Sequence, residues 1–113
     1  MKPGIYHIRF SGGYSQNFGD GIGVITESSI NGGDVGYFWS GPYQIKDGRI
    51  SAKIHVKRWK QDVPNPLADL PEYDLIIDGE APSDWSNFSA HGYIEQYPST
   101  RVIISGLRLG DAV

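Results

Sequence analysis

Between Ile50 and Val56 the chain alternates without a break: Ile50, Ala52, Ile54 and Val56 on one side, Ser51, Lys53 and His55 on the other, with Lys57 beyond. A period of two over that length predicts a β-strand with one buried and one wet face. Asp47-Gly48, just ahead of it, supplies two residues that tolerate positive φ. Residues 35–45 are therefore expected to fold back on residues 49–59 as a β-hairpin, the centre of the fold.

The same alternation recurs on both sides of this hairpin. Tyr6, Ile8 and Phe10 oppose His7 and Arg9 in 4–10; Tyr73, Leu75 and Ile77 oppose Asp74, Ile76 and Asp78 in 73–79; Phe88, Ala90, Gly92 and Ile94 oppose Asn87, Ser89, His91 and Tyr93 in 87–94. Residues 21–26 read as a strand thinned by glycine, as occurs where a sheet bends or another backbone comes close. Residues 11–20 and 80–86 read as turn-rich loops, and Asn31-Gly32-Gly33-Asp34 as a tight structural turn. In 61–71, Asn65 can cap a helix, Pro66 suits its first position and Pro71 stops it, which predicts one short helical turn across a barrel end. Residues 101–109 close the chain and are apolar on both faces. About eight short strands with brief connections predict a small all-β, up-and-down antiparallel barrel occupying 1–113 as a single domain, filled by side chains or holding one small ligand.

Composition narrows the classes. The 113 residues include 15 glycines and 7 prolines, 39% hydrophobic and 12% aromatic residues, which suits a turn-rich folded domain and not a disordered chain. The net charge of −3 is made of interspersed residues of both signs, so no direct nucleic-acid binding is expected. Lys57-Arg58-Trp59-Lys60, with Lys53, is the densest cationic stretch and reads as a solvated strand end. With no cysteine, disulfides and thiolate metal sites are excluded. No leader precedes Gly4 and no apolar run approaches the roughly 18 residues of a membrane span, so a soluble cytoplasmic protein is expected. The sequon Asn87-Phe88-Ser89 matters only in a secreted eukaryotic chain.

These motifs carry a family resemblance. Gly4-Ile5-Tyr6 leading to Phe10, Gly19-Asp20-Gly21-Ile22, then Ile30-Asn31-Gly32-Gly33-Asp34, Tyr37, Gly41, Tyr43 and Ile54-His55-Val56-Lys57-Arg58 resemble the family of the type III secretion negative regulator GrlR. The resemblance implies a lipocalin-like (calycin-like) β-barrel, a homodimer, bacterial and not an enzyme. In that regulator an acidic run in the loop of the central hairpin engages a transcriptional activator. Here the loop is Gln44-Ile45-Lys46-Asp47-Gly48-Arg49, with one acid and two bases, so the acidic run is missing. Asp47 is the position that transfers, with Lys46 and Arg49 beside it as a candidate partner-binding loop.

Other chemistry is sparse. His7, His55 and His91 could in number satisfy zinc, but each lies on the polar side of a different strand, and no metal or other cofactor is expected. Gly19-Asp20-Gly21-Ile22-Gly23 lacks the following helix that a phosphate loop needs. Asp74 and Asp78 share a strand face without a neighbour that would raise either pKa, no serine sits in a nucleophile-elbow context, and no catalytic residue is assigned. Tyr37, Trp39 and Tyr43 share one strand side with Gly41 between them, the composition of an apolar ligand pocket as well as of a barrel core. On the last strand Val102, Ile104 and Gly106 can face in, which turns Ile103, Leu107 and Leu109 out. Ile76 is similarly misplaced. Such a row predicts a dimer interface with Trp85 at its margin. The reading that follows is a binding module, plausibly regulatory, with an unidentified protein partner. The alternative is a carrier of a small apolar ligand inside the barrel.

Overall fold

The computed structural model describes residues 2–12, 18–63 and 70–113. They form eight antiparallel strands: β1 (Gly4–Gly12), β2 (Phe18–Ile25), β3 (Ser29–Gly33), β4 (Tyr37–Lys46), β5 (Arg49–Arg58), β6 (Glu72–Glu80), β7 (Asn87–Ile94) and β8 (Tyr97–Gly110). Each strand pairs with the next, and β8 pairs with β1, so the sheet closes into an up-and-down barrel without a free edge. No helix occurs among the described residues. The helical turn expected around Asn65 and Pro66 falls outside them.

The central hairpin forms as its pattern requires. Burial along β5 alternates from Arg49 to Val56, with Ile50, Ala52, Ile54 and Val56 all inside. Asp47 and Gly48 have φ of 54° and 76°, the positive values that let a two-residue loop match the twist of its strands. Lys46 and Arg49 are the flanking pair.

Three boundaries differ from the pattern reading. Gly32 and Gly33 lie inside β3 and not in a turn. Neither has positive φ. Gly32 faces inward against the Trp39 indole, where a Cβ would stand 2.6 Å from Nε1 and 2.2 Å from the Ile22 carbonyl oxygen. Its glycine makes room for one of the two tryptophans of the core. The turn begins at Asp34, whose Oδ1 accepts the amides of Gly36 at 2.9 Å and Tyr37 at 2.8 Å. The first two strands reach further into residues 11–20 than the glycines suggested, since Arg9, Phe10 and Ser11 pair with Asp20, Gly19 and Phe18. The third difference is a tight β7–β8 hairpin in which Ile94 pairs with Tyr97.

The core runs through the barrel axis from Tyr37, Trp39 and Tyr73 near one end to Trp85 at the other. β6 and β7 share three register pairs, Leu75–Ile94, Ile76–Tyr93 and Ile77–Gly92. Beyond Ile77 the two strands part, and the 81–86 segment occupies that end. It is tied down by Ala81 N–H to the Gly48 carbonyl and by Arg108 N–H to the Ser86 carbonyl, each 2.9 Å. Trp85, expected at the margin of an interface, is instead buried, with its ring 5.2 Å from Phe88 and 6.2 Å from Tyr43. Burying so large an apolar ring outweighs any surface role its loop position suggests.

Candidate functional site

Four groups of residues carry the functional possibilities, and the barrel places them apart. The first is the interior. Its cavity measures about 90 Å³ and is lined almost wholly by apolar atoms, among them Ile8, Phe10, Trp39, Ile54 and Leu75. Tyr37 and Trp39 stand on its wall. Tyr43 does not: it packs on Trp85 and donates its hydroxyl to the Thr26 carbonyl, with burial raising its pKa. The three aromatics share a strand side, but only two share the cavity. Tyr37 is also committed, donating to the Leu70 carbonyl at 3.2 Å and accepting from Arg58 Nε at 3.0 Å.

The second group is the β4–β5 loop. Lys46, Asp47 and Arg49 are all exposed, and Arg49 reaches Asp78 on β6 at 3.4 Å. Both partners of that pair are well solvated, so it adds little rigidity. The loop thus projects one acid and two bases from the end of the barrel that Trp85 closes.

The third is the outer face of β8. Ile103, Leu107 and Leu109 are exposed, as the both-sided apolar pattern requires. Ile76 is half-buried and separate. It lies in register with Lys53 and Tyr93, and the Tyr93 ring, under the Arg101 guanidinium at 5.7 Å, stands between it and β8. Leu107 instead continues toward β2: its register partner is His7, and the partner of His7 is Ile22, which is 46% exposed. The apolar wall therefore runs β8–β1–β2. Register, which only the fold sets, decides that direction.

The fourth is a polar network on the opposite wall. His55 on β5 bonds Asp74 through Nδ1 at 2.8 Å and Glu72 through Nε2 at 2.5 Å, both on β6. The Asp74 and Glu72 carboxylates hold the His55 pKa above its ordinary value, and His55 in turn lowers that of Asp74. Gln96 clasps Asp74 from the β7–β8 turn, donating to Oδ2 at 3.2 Å and accepting the Asp74 amide at 2.9 Å. Lys53 pairs with Glu95 beside it, at 3.2 Å. Strand alternation marks these residues as outward-facing, yet their meeting depends on the β5–β6 register. His7 bonds Asp20 at 2.8 Å within the β8–β1–β2 wall, between Leu107 and Ile22, and His91 lies beside Ile103 in register, so the three histidines do not converge. Among the described residues no group of three His, Cys, Asp or Glu side chains is placed to hold a metal ion. Among them, too, no helix is long and apolar enough to cross a membrane.

Asp34 stays a turn-fixing residue by its contacts, as its place beside two glycines suggested. The exposed aromatic Trp59 escaped the pattern reading. It follows β5 at the far end from the hairpin loop, and its indole N–H donates to the carbonyls of Asp34 and Tyr37. Its place in a basic tetrapeptide was the available signal.

Residues 1–112 of the 113-residue chain match the family described as T3SS negative regulator, GrlR. The chain belongs to that family. No curated protein matches it.

Proposed function

We propose that this chain is a non-enzymatic regulator that acts by protein–protein contact in the bacterial cytoplasm, as a homodimer joined through the outer face of β8. The observation that carries this reading is the exposed row Ile103, Leu107 and Leu109, continued across His7 to Ile22. Exposed apolar side chains clustered on one face of a small folded protein mark an interface. The small interior supports it from the other side: a drug-sized ligand needs a cavity of roughly 300 Å³ or more, whereas this one measures about 90 Å³. The outer surface is then the working part. The Lys46, Asp47 and Arg49 loop is a candidate second contact, for a partner other than the activator that an acidic loop engages. The net charge of −3 supports a protein partner over nucleic acid.

The test is the molar mass in solution by light scattering. A dimer that becomes a monomer on Ile103→Lys with Leu107→Lys supports the reading. A monomeric parent, or a dimer unmoved by the pair, overturns the β8 interface.

A second reading, a carrier of a small apolar guest, is favoured by the almost wholly apolar cavity wall with Tyr37 and Trp39 on it. Native mass spectrometry of the protein taken from cells tests it: a reproducible small added mass supports the carrier, and a clean protein mass removes it.

A further inference from the structure

Some cations on the outside of the barrel are ion-paired and others, Lys46, Lys57, Lys60 and Arg101, are not, among the described residues. Arg49, Lys53 and Arg108 each face a carboxylate, of Asp78, Glu95 and Asp111. Lys57 and Lys60, at the far end of β5, make no ion pair among the described residues. Two of the carboxylates nearest in the fold are engaged. Glu72, opposite Lys57 in register, binds His55, and Asp34 caps the turn before β4. Asp62, two residues past Lys60, is exposed.

Between these lysines Trp59 is 55% exposed, although its indole N–H is held at 3.2 Å by two backbone carbonyls, of Asp34 and Tyr37. The ring is fixed in orientation while much of it stays in water. Val35, on the same turn, is 72% exposed. Phe38, opposite Lys57 in the β4–β5 register, is 45% exposed. Gly33 lies between Phe38 and Ile22 in register and carries no side chain to interrupt them.

A preoriented tryptophan with apolar neighbours is anchor chemistry, because it offers a large contact area at a small entropy cost on binding. Unpaired lysines beside it select the charge of what binds. We infer that this end of β5, with Trp59, Val35 and Phe38 as apolar floor and Lys57 and Lys60 as its cations, docks an acidic segment of a partner protein that carries an apolar anchor. The inference rests on the reading of the chain as a protein-interaction module, and it assigns the partner a surface at the opposite end of β5 from the hairpin loop. A second copy of the chain is the poorer occupant, since a two-fold contact would bring Lys57 and Lys60 of one copy toward those of the other. A flat anionic bilayer also suits it less well: Val35 and Trp59 belong to the barrel end, while Phe38 and Ile22 stand on its wall.

The test is a titration of isotope-labelled protein followed by NMR. Its probes are a synthetic peptide with glutamates around a Leu-Phe pair, the same peptide with lysines for glutamates, and phosphatidylglycerol vesicles. The readout is the Trp59 indole N–H resonance, assigned with Trp59→Phe. The acidic peptide should move it together with the Gly36, Phe38 and Lys57 amides, while the basic peptide and the vesicles should not. Lys57→Glu with Lys60→Glu should weaken binding about tenfold or more. Val35→Asp, at the most exposed of these apolar positions, should weaken it without touching the core, so the result does not hang on a Trp59 variant that fails to fold. Shifts that map to Lys46–Arg49, equal binding of the basic peptide, a response to vesicles, or an unmoved rim would each overturn the inference. Peptide binding at Lys46–Arg49 would leave the interaction-module reading standing with a different surface. The β8 dimer and the carrier reading are tested separately, by light scattering and by native mass spectrometry.

Discussion

Two walls of the barrel share one inner core and differ on the outside. On the β5–β6 wall the outward residues satisfy one another: His55 lies between Asp74 and Glu72, Gln96 holds Asp74, and Arg49 and Lys53 face Asp78 and Glu95. On the β8–β1–β2 wall Ile103, Leu107 and Ile22 face water. One wall is complete within the chain and the other is not. The alternation of apolar and polar positions says which side chains point out. Whether they are then satisfied depends on what the neighbouring strand brings to the same height.

If the comparison is right, the common core should matter far more to folding than either wall. Trp85→Ala removes the buried ring that packs on Phe88 and Tyr43, and should cost about 3–5 kcal/mol in urea unfolding. A loss below about 1 kcal/mol would mean that the 81–86 segment is not part of the core.

The next largest effect should separate the walls. Ile103→Lys with Leu107→Lys should break the proposed dimer while changing the unfolding free energy of the monomer by no more than about 0.5 kcal/mol, the usual range for surface changes. Light scattering and urea unfolding on the same samples check both halves.

The polar wall should show a pH dependence that runs through His55 and Asp74. The raised pKa of His55 stabilises the fold fully below its unfolded value of about 6.5, and that contribution is lost as pH rises through the folded value. The lowered pKa of Asp74 contributes above about 3.9 and is lost as pH falls through its folded value. The network is thus tightest between about pH 4 and 6.5. His55→Gln should flatten the decline in stability above that window. Because His55 and Glu72 are each about half exposed, the difference should stay under about 1 kcal/mol. Thermal unfolding followed from acidic to alkaline pH reads it, and an unchanged profile would place the pH dependence elsewhere.

Smallest of all, Arg49→Ala removes a solvated pair with Asp78 at 3.4 Å. It should change stability by about 0.5 kcal/mol or less, which the same unfolding measurement can bound. A larger loss would show that the β5–β6 wall stiffens the hairpin.

The strands were legible because their signal is local. Ile50 to Val56 declares its buried side by alternation alone, and Asp47-Gly48 declares the turn by its tolerance of positive φ. β3 was not legible, because a five-residue strand with glycines at its end resembles a turn unless the facing Trp39 is known. The exposure of Ile103, Leu107 and Leu109 could be read from the sequence, since a strand apolar on both faces must turn one of them out. Their separation from Ile76, and their continuation to Ile22, could not.

By itself the sequence determined the all-β class, the up-and-down hairpin order and the inward side of nearly every strand. These follow from side-chain period and turn chemistry, which act over a few residues. Only the tertiary structure decided the register between strands, the filling of the barrel by Trp39 against Gly32 and by Trp85 from a loop, the sorting of the outside into a paired wall and a largely apolar one, and the bonding of the Trp59 indole to the carbonyls of Asp34 and Tyr37. Those properties depend on which residues stand at the same height on adjacent strands, and no local pattern carries that information.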